Sequence, residues 1–283
     1  MVHFKLAQSL SPDDVALKMR NALMVPVIYE NEAEIIKRRE RLGKEIKSLI
    51  EEGVKIEALD EISMPGTFYL IYQGFNDRDL MMDIQKLYRS AYPKLIGGGG
   101  RVMSDVPEER KIRVGFVSSY FRRHSVCKLL CGIITNLDKT KFDVVVFSST
   151  SDPDEYTEEI MEDPDITFIN VQEGFLLKNR DLVTEQNLDV LIYPDIGMDT
   201  KTTMWAHGRL AKVQMVFWGH PATTGLETMD YFISSDAYEY SDGGNRFSEQ
   251  LIRMDGLGFF FKADAVAEGM GDTMRQELNL KTR

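Results

Sequence analysis

Residues 211–235, AKVQMVFWGHPATTGLETMDYFISS, pass from an apolar run through a polar loop into a second apolar run. Val213–Trp218 is the first run and Tyr231–Ile233 the second, with Gly219, His220, Pro221, Ala222, Thr223, Thr224 and Gly225 between them. Strand, loop, strand is how open α/β sheets present ligand-binding groups at the carboxyl ends of their strands. Gly219 and Gly225 permit backbone geometry or close approach that other residues resist. His220 is held between a glycine and a proline. Read alone, the stretch is equally a tight connection around a buried histidine.

The same alternation extends upstream. Ile112–Val117 reads as a buried strand, followed by the polar loop Ser118–Ser125. Ser125 is the expected cap of a helix carrying Val126, Leu129, Leu130 and Ile133. Phe142–Phe147 and Ile166–Ile169 follow as strands, a helix is expected around Asn179–Gln186, and Asp189–Tyr193 is a strand leading into Pro194–Asp199. Strands alternating with helices predict an α/β fold, a parallel sheet with helices on both faces. No G-x-G-x-x-G follows the first strand, which removes the main support for a dinucleotide-dependent dehydrogenase.

In such a sheet three loops gather on one edge. They would bring together His124, Asp195, His220, Thr223 and Thr224. Histidine, carboxylate and hydroxyls in one place suit proton transfer and hydrogen bonding to sugar hydroxyls. Each residue also has a plainer role: His124 as a local hydrogen-bonding group at a helix start, Asp195 as a cap of the following helix. His3 and His207 read as structural or exposed.

Residues 1–95 read as helical. Ser11 with Pro12 marks one start, a second helix spans about Glu30–Glu52, and a third spans about Asp77–Tyr92. Phe68–Arg78 reads as a packing segment that docks the helical part on the next domain. Gly97–Gly100 reads as a linker. The expected division is a helical region at 1–105, an α/β lobe at 106–262 and a tail at 263–283.

The chain has 283 residues, an apolar fraction of 43% and a formal net charge of −11. The charge argues against nucleic acid as a partner. No apolar run reaches the roughly 18 residues of a membrane span, and the N-terminus lacks a signal-peptide pattern. A cytoplasmic setting, with the nucleus as an addition, follows. Cys127 and Cys131 are four apart on a predicted helix and read as reduced apolar residues, with no metal site.

The chain resembles the O-GlcNAc transferase / SPINDLY superfamily in its microbial form. The resemblance rests on Arg113–Ser119 with Phe121-Arg122 and His124–Val126, on Leu188–Asp199, on Arg209–Ala211 with Val213-Gln214 and the Trp-Gly-His-Pro loop, on Met229–Ser235, and on Gln250–Arg253 with Gly256–Gly258. It differs at Tyr120, Lys128 and Lys212. The resemblance implies the first Rossmann-like lobe of a two-lobed, metal-independent enzyme without cofactor. That enzyme moves a sugar from a UDP-sugar such as UDP-GlcNAc to Ser or Thr of protein or peptide acceptors. It implies His124 as the catalytic candidate and places the Gly219–Gly225 loop at the sugar-donor and acceptor cleft; with Asp195 from the gathered loops, the substrate-binding candidates are Asp195, Gly219, His220, Pro221, Thr223, Thr224 and Gly225. It also implies a second, donor-binding lobe after residue 262. The expectation is therefore a half without that lobe, transferring little sugar by itself. The rival expectations are transfer of glucose to asparagine, and a non-catalytic binding or scaffold protein.

Overall fold

The computed structural model describes residues 2–57, 67–97, 110–150, 153–171 and 176–261. Four helices open the chain: α1 (Val2–Leu10), α2 (Val15–Leu23), α3 (Glu32–Glu51) and α4 (Arg78–Ala91). Asp14 caps α2, its side chain accepting from the Leu17 N–H, so the start lies three residues beyond the expected Ser11. Asn31 caps α3 in the same way. The inward faces of α2, α3 and α4 form one core through Leu23, Ile46 and Leu87, joined by Leu70 of the turn Phe68–Gln73. Arg39 on α3 pairs with buried Asp77 at 2.7 Å and fixes the turn into α4. The expected glycine linker, from its second residue on, the boundary at 105 and the tail at 263–283 lie outside the described residues.

The α/β part contains β1 (Ile112–Ser118), α5 (Ser125–Asn136), β2 (Phe142–Ser148), α6 (Glu155–Met161), β3 (Ile166–Asn170), α7 (Leu176–Glu185), β4 (Val190–Tyr193), α8 (Thr200–Ala206), β5 (Val213–Phe217), β6 (Tyr231–Ser235) and β7 (Gln250–Met254). The strands form one sheet in the order β3-β2-β1-β4-β5-β6-β7. Every pairing is parallel. The fold class is as expected. The short helix α6 and the strand β7 were not anticipated.

Alternating side chains of the buried strands feed two cores on opposite faces. Val114, Phe116, Val144 and Val146 pack against α5 and α6, through Cys127, Ile134 and Ile160. Val117, Val145, Leu191 and Phe232 join Val183 of α7 and Trp205 of α8 on the other face. Cys127 and Cys131 are joined by a disulfide across one turn of α5, which corrects the expectation of two free thiols.

Parallel strands usually need a crossover helix. Among the described residues the β5–β6 connection has none, and α4 of the N-terminal region covers it instead. The Gln85 side chain donates to the Thr224 carbonyl at 3.1 Å, and Arg89 pairs with Glu227 at 3.1 Å. Gly225 has φ +71°, and a Cβ there would collide with the backbone of Met81. The helical region thus packs directly on the loop with which the sequence reading began. At the opposite end of the strands, Asp189 collects Arg110, Lys212 and the Arg113 N–H. These contacts hold its carboxyl down at about 2 against the cost of burial.

Candidate functional site

The strand order reverses between β1 and β4. Ligands of open α/β sheets bind outside the carboxyl ends of the strands at such a point. Ser118 ends β1, and Asp195 lies just beyond β4. The Ser118 hydroxyl donates to Asp195 Oδ2 at 3.0 Å, and the Ser119 N–H donates to the same oxygen at 3.1 Å. Asp195 Oδ1 is buried without a hydrogen-bond partner. Burial, reinforced by the nearby charge of Asp199, raises this carboxyl to about 7 despite its hydrogen bonds. Asp195 does not cap α8. Asp199 does, accepting from the Thr202 N–H at 2.9 Å.

His124 caps α5 itself, in place of the expected Ser125. Its backbone is extended, and its Nδ1 accepts from the Val126 N–H at 3.2 Å. A neutral imidazole has one acceptor and one donor nitrogen. With Nδ1 engaged as acceptor, the proton of neutral His124 lies on Nε2. Burial, then the neighbouring Arg122, lowers its pKa, so the neutral form dominates at pH 7. The ring is half-buried and stacks on Tyr120 at 4.4 Å between centroids. Ser118 Oγ accepts from the Tyr120 N–H at 2.8 Å. One chain of contacts therefore links Asp195, Ser118, Tyr120 and His124 across the strand-order reversal.

The loop after β5 is built differently. Gly219 passes so close to the Pro194 carbonyl that a Cβ would collide with it. This contact draws the β4 and β5 loops together. His220 is buried, with its ring stacked on Phe68 at 5.1 Å, so the Phe68–Gln73 turn docks on the lobe as expected. Burial lowers the His220 pKa to about 4. Pro221 is exposed. Thr223 and Thr224 are buried, and both hydroxyls donate to Glu249, which also accepts from the Thr224 N–H at 2.8 Å.

The structure thus joins Asp195 and His124 through Ser118 and Tyr120. It brings Gly219 to Pro194, the residue before Asp195. It turns the hydroxyls of Thr223 and Thr224 onto Glu249. Glu249 was not anticipated, because nothing in sequence links it to threonines 25 and 26 positions away. Ser118, read as the first residue of the polar loop after a predicted strand, was legible as a loop-edge hydroxyl, though the structure makes it the last residue of β1. His207 is buried, its pKa lowered to about 3 by burial, then by Arg89 and Arg180.

Among the described residues no group of three or more His, Cys, Asp or Glu side chains is placed to hold a metal ion. No described helix is long and apolar enough to cross a membrane.

The model of glycosyl transferase family 41 matches residues 101–269. A probable UDP-N-acetylglucosamine–peptide N-acetylglucosaminyltransferase SPINDLY of Arabidopsis thaliana is 29% identical over 154 residues, covering 52% of this chain and 16% of the relative. A UDP-glucose:protein N-beta-glucosyltransferase of Actinobacillus pleuropneumoniae is 35% identical over 96 residues, covering 34% of this chain and 15% of the relative. The chain therefore spans about one-sixth of the length of these curated relatives. A solved Thermobaculum terrenum O-GlcNAc transferase carrying K341M superposes with a TM-score of 0.58 at 18% identity, over 90% of this chain and 47% of the other. That likeness concerns the fold.

Proposed function

The chain belongs to glycosyl transferase family 41, and from that premise we propose that it is the acceptor-side lobe of a protein glycosyltransferase. The activity proposed is transfer of a sugar from a UDP-sugar to Ser or Thr of a polypeptide. The observation that carries the reading is the contact chain from Asp195 through Ser118 and Tyr120 to His124, on the sheet edge where this fold class binds ligands.

In the reaction the acceptor hydroxyl attacks the anomeric carbon as the bond to the diphosphate breaks. His124 presents Nε2–H, so it serves as a hydrogen-bond donor to an acceptor or sugar oxygen, and the departing diphosphate takes the hydroxyl proton. Asp195 is protonated over much of the range below pH 7 and meets substrate as a neutral acid or through the loop it holds. Gly219, His220 and Pro221 form the facing wall. Thr223, Thr224 and Gly225 hold that wall in shape from behind, through Glu249 and α4. No metal or cofactor is assigned to the chain, and the setting proposed is the cytoplasm or nucleus.

A second reading, glucose transfer to asparagine, is favoured by the 35% identity to the N-glucosyltransferase segment. The test is radiolabelled sugar transfer from UDP-GlcNAc or UDP-glucose to peptides carrying Ser/Thr or Asn. It uses residues 1–283 alone and joined to the remaining part of the Thermobaculum enzyme's catalytic region. Label on Ser/Thr peptides in the joined form is the expected result. Label on Asn alone would select the second reading. No transfer and no UDP binding in either form would leave a binding or scaffold protein.

A further inference from the structure

Between the helical region and the loops after β5 and β6 lies a cavity of about 380 Å³. That volume suits a single long side chain or a small ligand. Its lining is aromatic, with Phe75 from the helical side and Trp218, Tyr238 and Tyr240 from the sheet side. Two carboxylates share it. Asp77 is only 4% exposed. Its Oδ1 pairs with Arg39, and its Oδ2 has no partner. Glu239 is half-buried and accepts from the Ser234 hydroxyl at 2.6 Å. Among the described residues no cation pairs with the Glu239 carboxylate.

Burial keeps the Asp77 carboxyl above its ordinary range even with Arg39 in contact and Arg246 on the cavity's lining, which leaves Glu239 as the carboxylate without a cationic partner. The rings already accept guanidinium groups on their faces. Arg39 lies 5.1 Å from the Phe75 centroid, and exposed Arg246 lies 5.5 Å from that of Tyr240. Two carboxylates disfavour an anionic ligand. A planar guanidinium both stacks on aromatic faces and bonds carboxylates in a fork, which an ammonium does less well. The net charge of −11 further favours encounter with a basic partner.

We infer that this cavity is a subsite for an arginine side chain of the polypeptide acceptor, its guanidinium on Glu239 and Asp77 and its stem along Trp218 and Tyr240. The inference rests on the proposed function in one respect, that a polypeptide is the acceptor. It would make the neighbourhood of an arginine a determinant of which Ser or Thr is modified.

The test needs no sugar transfer. The chain has two tryptophans. Trp205 is buried in the core, so the indole N–H signal of Trp218 reports on the cavity. The probe is N-acetyl-L-arginine methylamide. Its neutral citrulline counterpart and the methyl glycoside of N-acetylglucosamine are the comparators. The expected result is a saturable shift of the Trp218 signal with the arginine probe, and about tenfold weaker binding in E239Q, the effect of losing one charge-assisted contact. Y240L, at an exposed position, weakens binding as well and leaves the melting temperature unchanged. Citrulline binding as well as arginine, or E239Q binding unchanged, would overturn the proposal. A shift with the sugar but not with arginine would make the cavity a carbohydrate subsite and overturn it equally. Arginine binding with no sugar transfer in the joined form would defeat the proposed function and leave the subsite standing; transfer in the joined form with a silent Trp218 signal would defeat the subsite alone.

Discussion

The loop after β5 and the meeting of β1 with β4 lie on the same sheet edge, yet their polar groups are used in opposite ways. In the first, Thr223, Thr224 and Glu249 satisfy one another out of solvent. His220 is neutral against Phe68, and α4 closes over Gly225. In the second, Asp195 keeps an unpartnered oxygen, and half-buried His124 has a ring nitrogen unused by the fold. A buried polar group whose partners are complete builds structure; one whose partners are incomplete has capacity left for a ligand. The motif most conspicuous in sequence is thus chiefly a wall, and the polar groups with capacity left for a ligand lie across from it.

The largest difference should come from Gly225. Its positive φ and its contact with Met81 leave no room for a β-branched side chain. Gly225→Val should cost about 3 kcal/mol or more and loosen the helical region from the lobe. The check is a urea melt read beside hydrogen exchange in α4. A variant as stable as the parent would mean that the helical region is not seated on this loop.

Removing the carboxylate from the wall should cost less, though still more than removing a hydroxyl from the facing loop. Glu249→Ala leaves the two threonine hydroxyls and the Thr224 N–H without their acceptor, at about 2–4 kcal/mol. Ser118→Ala removes one donor to Asp195, at about 1 kcal/mol. Equal costs by chemical denaturation would erase the distinction between the two loops.

Asp195 supplies a pH-dependent test of similar or smaller size. Its folded pKa of about 7 lies above the ordinary value of 3.8. Between those values the folded state binds the extra proton, so stability falls as pH rises from about 4 to 7 and is level above. Asp195→Asn removes this dependence, and at pH 8 it should gain roughly 2–4 kcal/mol relative to the parent. Parallel pH–stability curves for the two proteins would show Asp195 ionised in the ordinary range.

Much of this architecture was legible beforehand. Apolar runs at 112–117, 142–147, 189–193 and 213–218 marked the central strands, because strands buried on both faces read as continuous apolar sequence. The loops that gather on the edge followed from the alternation of strand and helix. Three things were not legible. The cap of α5 is an imidazole, where propensity pointed to the serine one residue on. The partner of the two threonines is a glutamate at the head of another strand, a contact created only by the sheet order. The crossover helix missing from β5–β6 is supplied by α4, more than 120 positions earlier. Such pairings arise from tertiary packing, which periodicity does not encode.

The smallest effects belong to His124, which both caps α5 and presents a donor. Asparagine can keep the cap and lose the distant donor; glutamine can keep a distant donor and weaken the cap. His124→Gln should destabilise the protein by up to about 1 kcal/mol and retain more transfer activity than His124→Asn, which should melt with the parent. The reverse order of activities in the joined enzyme, read from kcat, would assign the function of His124 to its cap alone.

The donor role of His124 can be observed without any substitution. The chain has four histidines, so long-range nitrogen–proton correlation spectra of histidine-labelled protein resolve each ring. At pH 7.5 the expected spectrum places the His124 proton on Nε2, with Nδ1 unprotonated and hydrogen-bonded, and keeps His220 neutral down to about pH 5. A proton on Nδ1 of His124, or a cationic ring at that pH, would contradict the assignment of the chemistry to this edge of β1 and β4.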